Sequence, residues 1–141
     1  MKNVCVAGLG YVGTSMVALL CKNVTVTGYD IDAKKIQFLK NFKSNLVEEG
    51  INERLSRYSH NIRATCDSNE AFINQDAIII SVPTNYDEIK HEFDTSIIEK
   101  LIDEIREVNN EALLVIKSTI PVGFTERIKK KIQDDKIIFS P

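Results

Sequence analysis

A chain of 141 residues is enough for one domain with one core, and 43% hydrophobic with 27% charged residues is ordinary for a globular fold. A formal net charge of -2 excludes the strongly basic footprint of a nucleic-acid binder. The one basic run, Lys129, Lys130 and Lys131, shares a helical segment with Ile128 and Ile132 and reads as a solvated helix face.

Strand and helix signals alternate along the chain. Residues 4–7 form a short buried strand, and residues 11–22 a helix with Met16, Ala18, Leu19 and Leu20 apolar. Residues 24–29 are rich in β-branched side chains and predict a second strand. Asp32 is placed to cap a helix running to about Lys40, with Ile36 and Leu39 turned inward. Leu46, Ile51 and Leu55 suggest a further short helix, which Gly50 weakens. Residues 62–65 predict a third strand, and Asp67 with Glu70 has the spacing of a capping box. The apolar run at 77–82 (AIIISV) predicts a strand buried on both faces, ended by Pro83. Residues 84–93 are polar and read as a loop. A strong helix follows over about 94–108, where Ile97, Leu101, Ile105 and Val108 recur at helical spacing. A strand at 112–116, a helical face of Phe124, Ile128 and Ile132, and a last strand at 136–139 complete the pattern.

Six strands separated by helices imply a doubly wound α/β fold with a mainly parallel six-stranded sheet and helices on both faces, in one domain spanning residues 1–141. The uncharged stretch from Asn3 to Cys21 has the outline of a signal peptide, but Leu20 stands where a small residue is wanted before Cys21. Gly8, Gly10 and Gly13 also interrupt a continuous helix. Cys5 and Cys21 read as core residues. With Cys66 the count is odd and without a CxxC pair, so no disulfide framework is expected and a reducing cytoplasm is the economical location. His60 and His91 sit in polar stretches and read as solvated. No metal-ligand cluster and no membrane association are expected.

Residues 8–13 spell GLGYVG, a GxGxxG that follows a strand and opens a helix. Gly8 permits the tight turn, Gly10 lets a pyrophosphate approach the backbone, and Gly13 lets the helix pack close. The helix start then favours the phosphates through its free amides and its dipole. Asp30 lies 22 residues beyond Gly8, near the spacing of about 20 at which a carboxylate meets the ribose hydroxyls of NAD and repels the extra phosphate of NADP. Asp32 reads first as a helix cap. Lys34 and Lys35 can touch the nucleotide or simply face water. Ligands in such folds sit beyond the carboxyl ends of the strands, which directs attention to Ser81 through Thr84 and to Lys117 through Thr119. Thr84 and Thr119 can each line the cleft or cap a turn.

Three stretches carry a resemblance: residues 115–125 (VIKSTIPVGFT), residues 81–87 (SVPTNYD) followed by 93–96 (FDTS), and residues 138–141 (IFSP). With residues 6–13 (VAGLGYVG), in the same order, they closely resemble the N-terminal NAD-binding part of the UDP-glucose 6-dehydrogenase family. The resemblance implies oxidation of UDP-glucose to UDP-glucuronate with two NAD in the intact enzyme. It implies that Gly8, Gly10 and Gly13 form the phosphate turn, flanked by Tyr11 and Val12. Asp30 binds the adenosine ribose with Lys35 beside it, and Thr84 contacts the cofactor. Thr119, near the nicotinamide, helps position a water and is the one catalytic candidate.

The family's substrate-binding glutamate loop, nucleophilic cysteine, and oxyanion-steadying lysine and asparagine come later than Pro141. The family's Ser-Pro-Ile is replaced by Asn45-Leu46-Val47. Oxidation to an acid needs a covalent stage and preorganised oxyanion donors, so this chain, expected to be part of a longer enzyme, should bind NAD without turning over. The intact enzyme is expected to be a homodimer acting on a UDP-sugar, and this chain a monomer. UDP-N-acetylmannosamine dehydrogenases and, more distantly, 6-phosphogluconate-type enzymes share the cofactor half and are alternatives. The regulatory nucleotide-binding domains of potassium transport systems offer a non-enzymatic one, against which residues 117–125 speak.

Overall fold

The computed structural model describes residues 1–44, 50–89 and 91–141. In the first half, β1 (Asn3–Ala7), α1 (Tyr11–Leu20), β2 (Thr25–Tyr29), α2 (Ala33–Lys40) and α3 (Ile51–Arg57) are followed by a 3₁₀ turn (Ser59–Asn61) and β3 (Ile62–Thr65). Next come α4 (Ser68–Phe72), β4 (Ala77–Ile80), β5 (Asn85–Asp87) and β6 (Glu92–Asp94). The chain closes with α5 (Ser96–Val108), β7 (Leu113–Ile116), α6 (Phe124–Ile132) and β8 (Ile137–Phe139).

The main sheet has six strands in the order β3-β2-β1-β4-β7-β8, and every neighbouring pair is parallel. The order reverses between β1 and β4, which makes a crevice at the carboxyl ends of those strands. This is the expected doubly wound fold. Strand alternation feeds two cores. Cys5, Ala7, Ile78, Ile80, Leu114 and Ile116 face one layer with residues of α4, α5 and α6. Val4, Val6, Val26 and Ile79 face the other, with residues of α1, α2 and α3. Strands covered on both faces explain the unbroken apolar runs of the sequence.

Several local readings change. Residues 84–93 are not simply a loop: β5 and β6 pair as an antiparallel hairpin, with Tyr86 and Phe93 edge to face at 5.2 Å. Strands of three residues are too short for alternation to betray them. Gly50 does not interrupt a helix. It has φ 86 and stands immediately before α3, whose Ile51 and Leu55 are buried, while Leu46 lies outside the described residues. Asp67 accepts from the Glu70 amide at 2.9 Å, but the box is relayed: Asp67 N donates to Thr65 Oγ1, which donates to Glu70 Oε2 at 2.6 Å. Cys5 and Cys21 are buried and Cys66 is exposed, all three as free thiols.

The basic run is only partly a solvated face. Lys131 reaches Glu99 at 3.1 Å and Arg127 reaches the same carboxylate at 2.9 Å, tying α6 to α5. Burial alone would push Glu99 up, but the hydrogen bonds from Arg127, Lys131 and Thr95 outweigh it and hold the carboxyl below its ordinary value of 4.5. A depressed acid contributes stability that is fully present above its unfolded value and is lost as pH falls through the folded one. Replacing Glu99 with Gln is therefore expected to cost about 1 kcal/mol at pH 7, allowing for the exposure of both cations. In urea titrations that difference should shrink toward zero below about pH 4. A difference that stays constant down to pH 3 would contradict this.

Candidate cofactor site

The site begins where β1 runs out. Gly8 has φ 97, a conformation that L side chains resist, and a Cβ there would stand 2.6 Å from the Ser81 carbonyl oxygen. A Cβ on Gly13 would stand 1.7 Å from the Gly8 carbonyl oxygen and 2.7 Å from Ser81 Oγ. Helix α1 thus rests against the turn with no room for a methyl group. At Gly10 the same Cβ would meet nothing within 4 Å, so this glycine faces open space. The Ser81 hydroxyl donates to the Gly8 carbonyl at 2.8 Å, and the Ser118 hydroxyl donates to the Val82 carbonyl at 2.7 Å. These two serines stitch together the ends of β1, β4 and β7.

The first turn of α1 has no side-chain cap and no acidic residue, and its first intrahelical bond is from Thr14 N to the Gly10 carbonyl at 3.0 Å. The preceding amides of a ten-residue helix are left for an anion. Tyr11 and Val12 are exposed on this turn, whereas Leu9 is buried.

Asp30 closes the other side. Its side chain is buried at the end of β2. Oδ2 accepts from the Leu9 amide at 2.7 Å and pairs with Lys35 Nζ at 3.0 Å, while Oδ1 accepts from the Asp32 amide at 2.9 Å. A carboxylate offers about four acceptor directions, so capacity remains on Oδ1. Asp32 caps α2 by accepting from Lys34 N at 2.8 Å, as its spacing suggested, and it also faces the cleft.

The cleft itself, about 480 Å³, opens between the ends of β2 and β4 and the first turns of α5. It brings together Gly8, Asp30, Asp32 and Lys35 of the sequence-derived candidates, with Ile31, Val82, Pro83, Ile97 and Leu101 as apolar walls. Gly10, Tyr11, Val12 and Gly13 lie on the adjoining turn. Thr84 follows β4 and Thr119 follows β7, on the same sheet edge but outside the cleft lining. Val82 and Pro83 belong to the 81–84 stretch to which the sequence directs attention, whereas Ile31, Ile97 and Leu101 carry no sequence signal for a wall. Ile97 shares the helical spacing of Leu101 and Ile105, but it is 47% exposed, and Ile98 fills the core instead. Ile31 is 85% exposed and lines the cleft.

Over residues 2–138 the sequence matches the family model described as the UDP-glucose/GDP-mannose dehydrogenase family, NAD binding domain. The chain belongs to that family. It is 38% identical over 138 residues to the UDP-glucose 6-dehydrogenase of Streptococcus pneumoniae, covering 98% of this chain and 35% of the relative. It is 34% identical over 150 residues to the UDP-N-acetyl-D-mannosamine dehydrogenase of Methanocaldococcus jannaschii, covering 98% of this chain and 33% of the relative. The chain therefore spans about a third of the length of the curated relatives it matches. The solved UDP-glucose dehydrogenase of Pyrobaculum islandicum superposes with a TM-score of 0.83 at 27% identity, covering 99% of this chain and 34% of that one. The resemblance seen in the sequence is borne out, and the family match favours a dehydrogenase over a regulatory domain.

The crowding at Gly13 gives a direct expectation. Alanine is the better helix former by about 1 kcal/mol, but overpacking against a backbone carbonyl costs more. Gly13→Ala should lower unfolding free energy by about 2 kcal/mol in urea denaturation. An unchanged or raised midpoint would show that α1 does not sit as closely on the turn as described.

Proposed function

We propose that this chain binds NAD across the β1–β4 crevice and serves as the cofactor-binding part of a UDP-glucose 6-dehydrogenase. The observation that carries the reading is the pairing of an uncapped α1 N-terminus with the Asp30 carboxylate at the end of β2. The free amides and the open space at Gly10 suit a pyrophosphate, and Gly8 and Gly13 set the close approach of turn and helix. Tyr11 and Val12 flank the phosphates, and Asp30 takes a ribose hydroxyl, with Lys35 fixing its carboxylate. Thr84 contacts the cofactor from the end of β4. Thr119, beyond β7, stands by the nicotinamide and orients a water. NAD, when bound, supplies a hydride acceptor.

The substrate assignment rests on the higher identity to UDP-glucose 6-dehydrogenases than to UDP-N-acetyl-D-mannosamine dehydrogenases, 38% against 34%. A UDP-sugar is the partner of the longer enzyme, proposed as a cytoplasmic homodimer, with this chain monomeric. No described helix is long and apolar enough to cross a membrane, and no group of metal-binding side chains occurs among the described residues. The 141-residue chain binds without turnover, because its one exposed cysteine, Cys66, follows the edge strand β3. Strands β2, β1 and β4 lie between β3 and the strand that leads to Thr119. No thiol is thus placed to form the covalent stage that oxidation to an acid requires.

Calorimetric titration of the chain tests the cofactor claim. NAD should bind at least about tenfold more tightly than NADP, because a 2′-phosphate would meet Asp30 and Asp32. Asp30→Asn should relax this preference while keeping an acceptor for the Leu9 amide. Equal binding of both dinucleotides would contradict the assignment of Asp30, and absence of binding would contradict the site.

A further inference from the structure

The cleft has two polar rims, and the proposed ribose site uses only one. Asp30, Asp32 and Lys35 stand at the β2–α2 rim. From α5 come Lys100 and Glu104, and Tyr29 at the end of β2 also lines the cleft. The reading of NAD binding gives these residues no task. A flat aromatic ring is what slot walls such as Ile31, Val82, Pro83, Ile97 and Leu101 accept, and a nucleotide whose ribose is held at Asp30 places its base there.

We infer that Glu104 reads the exocyclic amino group of adenine, making α5 the element that selects the base of the dinucleotide. This rests on the proposed NAD reading and extends it. Three observations support it. Glu104 lines the cleft from α5, whereas Asp30 lines it from the end of β2, and the Glu104 side chain is 39% exposed, so it is open to a ligand. Its only described ion-pair partner, Lys100, is at 4.0 Å and 80% exposed, which leaves the carboxylate with acceptor capacity. Tyr29 lines the same cleft, and burial followed by the nearby charge of Glu104 pushes its hydroxyl up.

A carboxylate is an acceptor only. It welcomes the amino group at C6 of adenine and meets the carbonyl oxygen at C6 of hypoxanthine with repulsion. With the ribose fixed at Asp30, the base cannot slide along the slot to offer its ring N–H instead.

The test is calorimetry of the 141-residue chain with NAD and with nicotinamide hypoxanthine dinucleotide, which carries a C6 carbonyl and a neighbouring N1–H in place of the C6 amino group and bare N1. The wild type should prefer NAD by about tenfold, the discrimination of one charge-assisted hydrogen bond in a partly solvated site. Glu104→Gln keeps shape and can donate or accept, so it should hold NAD within about threefold of the wild type and bring the hypoxanthine analogue level with it. Glu104→Ala removes both the attraction and the repulsion, so it should weaken NAD, tighten the analogue and bring the two close together, with the thermal midpoint of the free protein unmoved. Equal affinity of the two dinucleotides for the wild type, or a preference that survives both substitutions, overturns the inference while leaving NAD binding intact. Failure of both dinucleotides to bind overturns the cofactor reading and this inference together.

Discussion

One buried carboxylate ties the site together. Asp30 is removed from water at the end of β2, where an unpaired charge would be costly, and three donors surround it: the amides of Leu9 and Asp32 and the ammonium of Lys35. The Leu9 bond matters most. It fixes the glycine turn to β2 across the sheet, while Gly8 N donates to the Tyr29 carbonyl at 2.8 Å on the same strand. The group that is proposed to recognise the ribose also shapes the turn that is proposed to hold the phosphates. Sequence spacing pointed to the first role and gave no sign of the second.

The rest of the fold serves to keep that turn in place. Two residues without side chains let α1 lie on the end of β1, and Ser81 grips the Gly8 carbonyl from β4. Ser118 repeats the device one strand further on. At the opposite end of the sheet, Asn109 holds the layers in register. Its amide donates to the carbonyls of Phe72 and Gln75, and its oxygen accepts from the amides of Glu111 and Ala112. Asp76 accepts from the amides of Lys2 and Asn3, and those bonds hold its carboxyl below the usual range.

What the sequence made legible follows from length scale. Buried strands such as β1 and β4 are apolar without interruption because helices cover both faces, so their type and the parallel fold could be read directly. The motif at residues 8–13 and Asp30 were readable because a phosphate turn and a ribose carboxylate demand particular residues at a particular spacing. The β5–β6 hairpin was hidden, since strands of three residues with a single aromatic each are too short to show a period. The cleft walls were hidden for another reason: Ile31 and Ile97 look like core residues in one dimension, and only the packing of α5 shows that Ile98 fills the core while Ile97 looks outward. Ser81, Ser118 and Asn109 act on backbone groups distant in sequence, which no local pattern encodes.

The most direct test of the account is to follow backbone amide resonances of the chain during an NAD titration. The account predicts the largest shifts along residues 8–13, at Asp30 through Asp32 and at Val82 through Thr84, with smaller ones at Ser118 and Thr119. Perturbation confined to the far end of the sheet, around Lys22, Arg54 and Arg57 where a second groove lies, would place the nucleotide elsewhere and contradict it.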